Sequence, residues 1–448
     1  MARLAWMAAL AAGVALVTAP QASAQIALSD INTRIDQIAP QLVTWRRDIH
    51  QHPELGNRET RTAALVAAHL RRLGMEVRTG VAGTGVIGIL RGGRPGPVVA
   101  LRSELDALPV HEATGLPFAS NVQTTYNGQT TYVAHACGHD LHIAMLMGAA
   151  QVLAGMRAQL PGTILFVFQP AEEGPPAGET GGAARILAEH GLDNPAPSAI
   201  FGVHVVNGAP GTLFYRQQGF MAAADEFQIN IHGRQTHGAL PWQGIDAISL
   251  SSAIVQAFNE LAARTVDVTR APTVLSVTTI NGGNRWNIVP QDVTMTGTLR
   301  TFDRDGRVAM QRRMQTTVQS LAASYGATAE LHFIEHGHVT YNDPALTAWA
   351  LPAMQEAAGA GNVDPSHAPA MPSEDFSYYQ EHIPGLFVHL GSDQDGQEPG
   401  VAPPNHSPAF NPNERILPLG VRAHVLFAVR YLESGGLRPQ ANAATQSH

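Results

Sequence analysis

Short apolar strands alternating with helical stretches constrain this chain more than any other feature. "PVVALRSEL" (97–105) reads as a strand and "LHIAMLMGAAQVLAGM" (141–156) as an apolar helix. "GTILFVFQPAEEG" (162–174) reads as a buried strand ending in a turn, "ARILAEHG" (184–191) as a helix and "AIFGVHVV" (199–206) as another strand. Switching between periods of 2 and 3.6 residues at each step predicts an α/β domain, a doubly wound mixed sheet with helices on its faces.

The pattern changes between 222 and 333. There "EFQINIHG", "TVLSVTTING", "DVTMTGTLRTF" and "TAELHFIEH" read as strands, with one helix after the first of them and one before the last. The second helix carries Met310, Met314, Val318 and Leu321 on one face. The order β-α-β-β-α-β is a ferredoxin-like α+β unit. It reads as an insertion, because the first type of pattern resumes at "DPALTAWALPAMQEA" and "GLFVHLG". The expected division is a signal peptide at 1–24, the α/β domain at 25–221 and 334–436, the inserted unit at 222–333, and a polar, disordered tail at 437–448.

The signal rests on Arg3, an apolar run from Leu4 to Val17, and a small-residue cleavage motif at Ala22-Ser23-Ala24. It predicts export, in the simplest case to a bacterial periplasm, with no membrane attachment after cleavage. The chain has 1 cysteine and so no internal disulfide. All 28 basic residues are arginine, which excludes a Schiff-base lysine and a phosphate-loop lysine. A formal charge of -8 without a basic stripe argues against nucleic acid as a partner. The 20 histidines are the one compositional pointer to metal.

Ligands of doubly wound sheets gather at the carboxyl ends of strands, and this chain places donor residues there. Asp106 follows "VVALRSEL", Glu172 and Glu173 follow "TILFVFQPA", and His204 lies near the end of "AIFGVHV". Cys137 and His139 precede a helix, and His406 sits in the Pro-rich "PPNHSPAF". Each has an ordinary explanation taken singly: a buried thiol, a strand histidine, a solvated acidic loop, a turn cap. Their conjunction at one sheet edge is harder to dismiss. Cys137 and His139, two apart in an extended segment, would face one site. Paired glutamates allow one to bind metal while the other moves a proton. His135 and His142 read as structural or as supports behind the ligands rather than as ligands themselves.

Taken together, "RRDIHQHPELG", "LRSELDALPV", "HACGHDLHIAMLMGAA", "FQPAEEG", "FGVHV", "NIVPQDVTMTGTLRTFD", "PSEDFSYY" and "NHSPAF" resemble the M20 metallopeptidase family. The likeness is greatest to its amidohydrolase branch of hippurate hydrolases, N-acyl-amino-acid amidohydrolases and auxin-conjugate hydrolases. The resemblance implies two divalent ions (Mn, Zn, Co or Ni) on Cys137, His139, Glu173, His204 and His406, with the cysteine bridging. It implies Glu172 as general acid/base and Asp106 as an acidic neighbour orienting a ligand. The inserted unit becomes a lid, and a site of homodimer formation. In the lid His237 would meet the substrate's reacting carbonyl or carboxylate, in some members across the dimer, and Asn287 and Arg300 would grip the substrate carboxylate.

The expected activity is hydrolysis of N-acyl amino acids or similar small amides by metal-activated water. The alternatives are a dipeptidase or carboxypeptidase with the same metals, and a non-catalytic metal- or solute-binding protein. Departures from the family pattern fall at Glu104 (usually aspartate), Leu141 (often glycine), Trp242 (usually histidine) and Ala247 (usually proline), and at the longer "PPAGET". They leave the metal set intact and bear on the acyl pocket.

Overall fold

The computed structural model describes residues 25–268, 271–398 and 400–437. The expected signal peptide and nearly all of the expected tail lie outside the described residues. Among them, no helix is long and apolar enough to cross a membrane.

Two helices, α1 (Leu28–Gln51) and α2 (Thr60–Arg72), lead into strands β1 (Glu76–Val81), β2 (Gly85–Arg91) and β3 (Arg94–Glu104). Helix α3 (His139–Ala154), β4 (Pro161–Gln169), α4 (Gly182–Ala188), β5 (Ala199–Val206) and β6 (Leu213–Phe214) follow. Next come the inserted elements: β7 (Ala223–His232), α5 (Ala247–Arg264), β8 (Thr273–Gly282), β9 (Asp292–Thr301), α6 (Arg304–Tyr325) and β10 (Thr328–Gly337). The chain then returns through α7 (Pro344–Ala358), β11 (Val363–Asp364), α8 (Phe376–Gln380), β12 (Gly385–Gly391) and α9 (Leu417–Glu433).

The large sheet has eight strands in the order β1-β2-β4-β3-β5-β12-β6-β11. Its centre, β4-β3-β5-β12, is parallel, and the β1-β2 edge is antiparallel. Consecutive residues of β5 show the two faces. Phe201 stacks on Phe427 of α9, whereas a side chain at Gly202 would meet Phe376 of α8. Helix α3 lies under the sheet with α1 and α9 against it, and every residue from His139 to Ala150 is buried. A helix apolar on all sides is what such a position requires.

The lid sheet has four antiparallel strands in the order β8-β9-β7-β10. Its inward alternation (Phe227, Ile229, Ile231; Val293, Met295, Leu299) packs on α5 and α6 through Leu250, Ile254, Phe258, Met310, Met314 and Val318, a core separate from that of the large sheet. Asp246 and Asp303 cap the two helices by accepting from Ser249 N and Gly306 N. At its base the chain leaves and returns along one antiparallel ribbon, 218–221 against 340–342.

Candidate metal centre

The donor residues converge from separate stretches of chain. Cys137 and His139 flank Gly138, whose φ of +94° forms the entry to α3. An extended segment was expected here. The left-handed glycine is what turns both side chains to one side, and a Cβ at 138 would lie 2.3 Å from Val205 Cγ2. Past the end of β4, Ala171 adopts φ +51° and bends the chain so that Glu172 and Glu173 enter one pocket. His406, with φ +69°, reaches in from the Pro-rich loop, which Asn405 pins by donating to Cys137 O (3.0 Å) and Val205 O (3.1 Å). Non-glycine residues held at positive φ mark places where surrounding contacts over-determine the backbone.

Cys137 Sγ lies 3.5 Å from His204 Nε2 and 3.3 Å from His406 Nε2. His406 Nε2 is 3.0 Å from Glu173 Oε1, and His139 Nε2 is 3.8 Å from Glu172 Oε2 and 4.0 Å from Glu173 Oε1. Ligand atoms about 2.0–2.3 Å from a tetrahedral ion sit about 3.3–3.7 Å from one another, so the spacing suits metal coordination. Two donor triads among the described residues, Cys137-His139-His204 and Cys137-Glu173-His406, share the thiol, and a third group, His139-Glu172-Glu173, adjoins them.

Protonation follows from geometry. His139 Nδ1 faces Asp106 O at 2.8 Å and His204 Nδ1 faces Val205 O at 2.8 Å. A carbonyl only accepts, so each Nδ1 carries the hydrogen and each Nε2 turns a lone pair to the cluster. His139 Nε2 is buried and has no hydrogen-bond partner among the described residues. Charge shows what the cluster demands. Burial opposes a proton on His139, yet Asp106, Glu104 and Glu173 outweigh it and push the imidazole up to about 10, so without a metal a proton takes the place on Nε2 that a cation would fill. Burial and the charges of Glu173 and Glu172 push the Cys137 thiol well above its ordinary value. The pocket as built lacks positive charge at its centre, and a divalent cation reverses that balance and deprotonates a coordinating thiol. The residues present therefore fit the two metal ions that the sequence led one to expect.

Asp106 lies beside the ligands: its backbone O accepts from His139 Nδ1, and its Oδ2 accepts from Glu173 N at 3.0 Å. His142 has no free donor. Its Nε2 accepts from Val205 N and its Nδ1 donates to Glu104 Oε2, both at 2.8 Å. Glu104, which stands where the family pattern has aspartate, thus braces the strand that carries His204.

Glu172 stands beside the triads in a second acidic group with Glu374 and Asp375. Burial and then the charges of Glu374, Glu173 and Asp375 raise its carboxyl well above the usual range. Fully buried Arg102 donates to Glu374 (2.9 Å) and Asp375 (2.7 Å) and offsets their charge. Sequence reasoning assigned none of these three a role. The acidic pair before a helix in "PSEDF" was the available signal. Arg102, central in an apolar strand, was the other.

A cavity of about 500 Å³ opens on Cys137, Glu172, Glu173, His204 and His406 and is also lined by Phe214, Met221, Pro369 and His389. His237, Asn287 and Arg300 do not line it. His237 pairs with Ile288 in a short ribbon beside Asn287, and Arg300 lies on β9, where its Nε donates to Thr298 Oγ1.

Residues 100–430 match the peptidase family M20/M25/M40. The chain is 37% identical over 400 residues to thermostable carboxypeptidase 2 of Saccharolobus solfataricus, covering 89% of this chain and 97% of that one. It is 36% identical over 396 residues to an N-acetylcysteine deacetylase of Bacillus subtilis, covering 88% and 97%. Among solved structures, a Bacillus subtilis protein described as a dinuclear metal-binding peptidase of family M20 superposes with a TM-score of 0.73 at 34% identity, covering 89% and 99%. Matched over most of its length by the family and its relatives, and with donor groups that could hold metal, this chain belongs to the M20 peptidase family and is a metal-dependent hydrolase of amide bonds.

Proposed function

We propose that the protein removes the acyl group from N-acyl amino acids, with Glu172 as general acid/base. The observation that carries this is the position of Glu172: at the cavity, 3.8 Å from His139 Nε2, yet in neither of the triads that share Cys137. In this reading Cys137, His139 and His204 hold one divalent ion and Cys137, Glu173 and His406 a second. Bound there, such ions polarise a carbonyl and lower the pKa of water toward about 7. Glu172 takes the proton of the attacking water and passes it to the leaving nitrogen, a role suited to a carboxyl already shifted upward. Asp106 keeps His139 in the tautomer with its Nε2 lone pair free. Arg102 limits repulsion among Glu172, Glu374 and Asp375.

His237, Asn287 and Arg300 act from the lid, with Arg300 and Asn287 gripping the carboxylate of the amino-acid half when the lid swings toward the cavity. The protein works as an exported enzyme, in the simplest case periplasmic, and pairs with a second copy through the lid. The metal is Zn, Mn, Co or Ni, all compatible with a Cys/His/Glu set. The test is metal analysis of purified protein together with kcat/KM for acetyl-, benzoyl- and longer acyl-amino acids against a panel of dipeptides. Preference for acyl-amino acids by tenfold or more is expected. The reverse preference replaces this reading with a peptidase, as in the relative named a carboxypeptidase.

A further inference from the structure

The cavity lining includes a buried histidine that the chemistry above does not use. His389 is 5% exposed, lines the cavity, and sits on β12 directly opposite His204 of β5. Its ring is boxed by Phe220 (ring centroids 4.5 Å), Phe214 (5.8 Å) and Phe387 (6.0 Å). Its Nε2 has no hydrogen-bond partner among the described residues, and neither ring nitrogen appears in any side-chain or backbone bond there. A buried polar group without a partner costs free energy. An apolar residue would fill a box of phenylalanines without that cost. An imidazole ring offers a nitrogen as hydrogen-bond donor or acceptor to a group in the cavity.

We propose that His389 is a specificity-determining residue that selects substrates whose acyl group is an aromatic ring carrying a hydrogen-bonding substituent at its far end. This rests on the reading of the site as an N-acyl-amino-acid hydrolase. The His389 and His204 rings are 6.3 Å apart by centroid and both line the cavity, so an acyl group that reaches the donor cluster passes close to His389. Phe214 and Met221 supply apolar walls for that ring. With the substrate carboxylate directed to the lid, the acyl half is the one that enters this cavity. A purely apolar pocket discriminates weakly against a lost or added hydroxyl, whereas a buried polar group left unpaired discriminates strongly.

The experiment compares the metal-loaded wild-type protein with His389→Phe on three substrates: N-(4-hydroxybenzoyl)glycine, N-(4-methylbenzoyl)glycine and N-benzoylglycine. Wild type should favour the hydroxyl over the equally large methyl by at least tenfold in kcat/KM. His389→Phe should bring the two within about twofold. A wild type indifferent to the substituent, or a variant that keeps the preference, overturns the proposal. If no acylglycine is hydrolysed, the functional reading fails on its own, and calorimetry with 4-hydroxybenzoate and 4-methylbenzoate still decides the pocket. Tenfold tighter binding of the hydroxy acid that vanishes in His389→Phe supports the assignment, and equal binding of the two acids overturns it. Thermal melting of the variant, and His389→Leu as a second apolar replacement, guard against a folding defect.

Discussion

Two adjacent glutamates with different neighbours give the site its division of labour. Glu173 is tied to His406 at 3.0 Å, while Glu172 faces Glu374 and Asp375. Glu172→Gln should therefore leave metal content near that of wild type and lower kcat by about 10²–10⁴, the usual worth of a general acid/base. Metal loss in parallel with activity, seen by elemental analysis, would show that the two roles are exchanged. Glu59 is fully buried, and its Oε1 accepts from Ala171 N at 2.8 Å, supporting the residue that bends the chain toward both glutamates. Burial and then the charge of Asp106 push Glu59 up to about 7, from 4.5. A folded-state pKa above the unfolded one gives stability that is full below about 4.5 and lost as pH rises through about 7. In chelated protein, melting temperature should fall across that window. Glu59→Gln, which keeps an acceptor for Ala171 and carries no charge, should flatten the slope and exceed wild type at pH 8. An unchanged slope would remove Glu59 from this account. The residues that meet in the cluster were legible in the sequence because Cys, His, Glu and Asp at strand ends have few other uses in an apolar sheet. His389 and Arg102 were not, because one histidine or arginine inside a strand looks the same whether or not a cavity lies beside it.

Among the elements, α3 carries the tightest packing. It is buried along its length, with α1 and α9 against it. Gly148 lies at that junction: a Cβ there would sit 2.5 Å from Leu42 Cδ2 of α1 and 2.9 Å from Val421 Cγ2 of α9. Helix propensity favours alanine over glycine by about 1 kcal/mol, but overpacking a full core costs about 1–3 kcal/mol. Gly148→Ala should be destabilising, by about 1 kcal/mol in urea denaturation. A gain in stability would mean that the three helices can separate freely. The lid elements were readable because β7 and β9 alternate strictly over most of their length and the helices bear polar outer faces. Helices α1, α2 and α9 were not singled out. In α9 nearly every position from Leu417 to Leu432 is buried except the arginines, so a two-faced pattern is weak, and a buried helix resembles a buried strand in sequence.

At the scale of the whole molecule, two cores are joined by one ribbon. The donor cluster belongs wholly to the larger. Metal binding stabilises the folded part that binds it, so calorimetry should resolve two transitions, of which chelation lowers one and leaves the other within about 2 °C. A single transition that shifts as a unit would mean that the lid draws its stability from the large domain. The insertion itself was legible as a change of pattern and its resumption. How the lid sits over the cavity was not, because that depends on contacts such as those of Arg304 with Tyr341 and Glu381, which join segments far apart in sequence. The sharing of Cys137 has a consequence for how the molecule is made. His406 lies 269 positions beyond Cys137 and 69 after the last lid strand ends at Gly337. A chain delivered amino end first, at about 5–20 residues per second, completes the lid roughly 3–14 s before the second triad can exist. A chain cut short anywhere upstream of 406 keeps its thiol but never the full pair of triads, so dinuclear metal uptake reports a finished polypeptide.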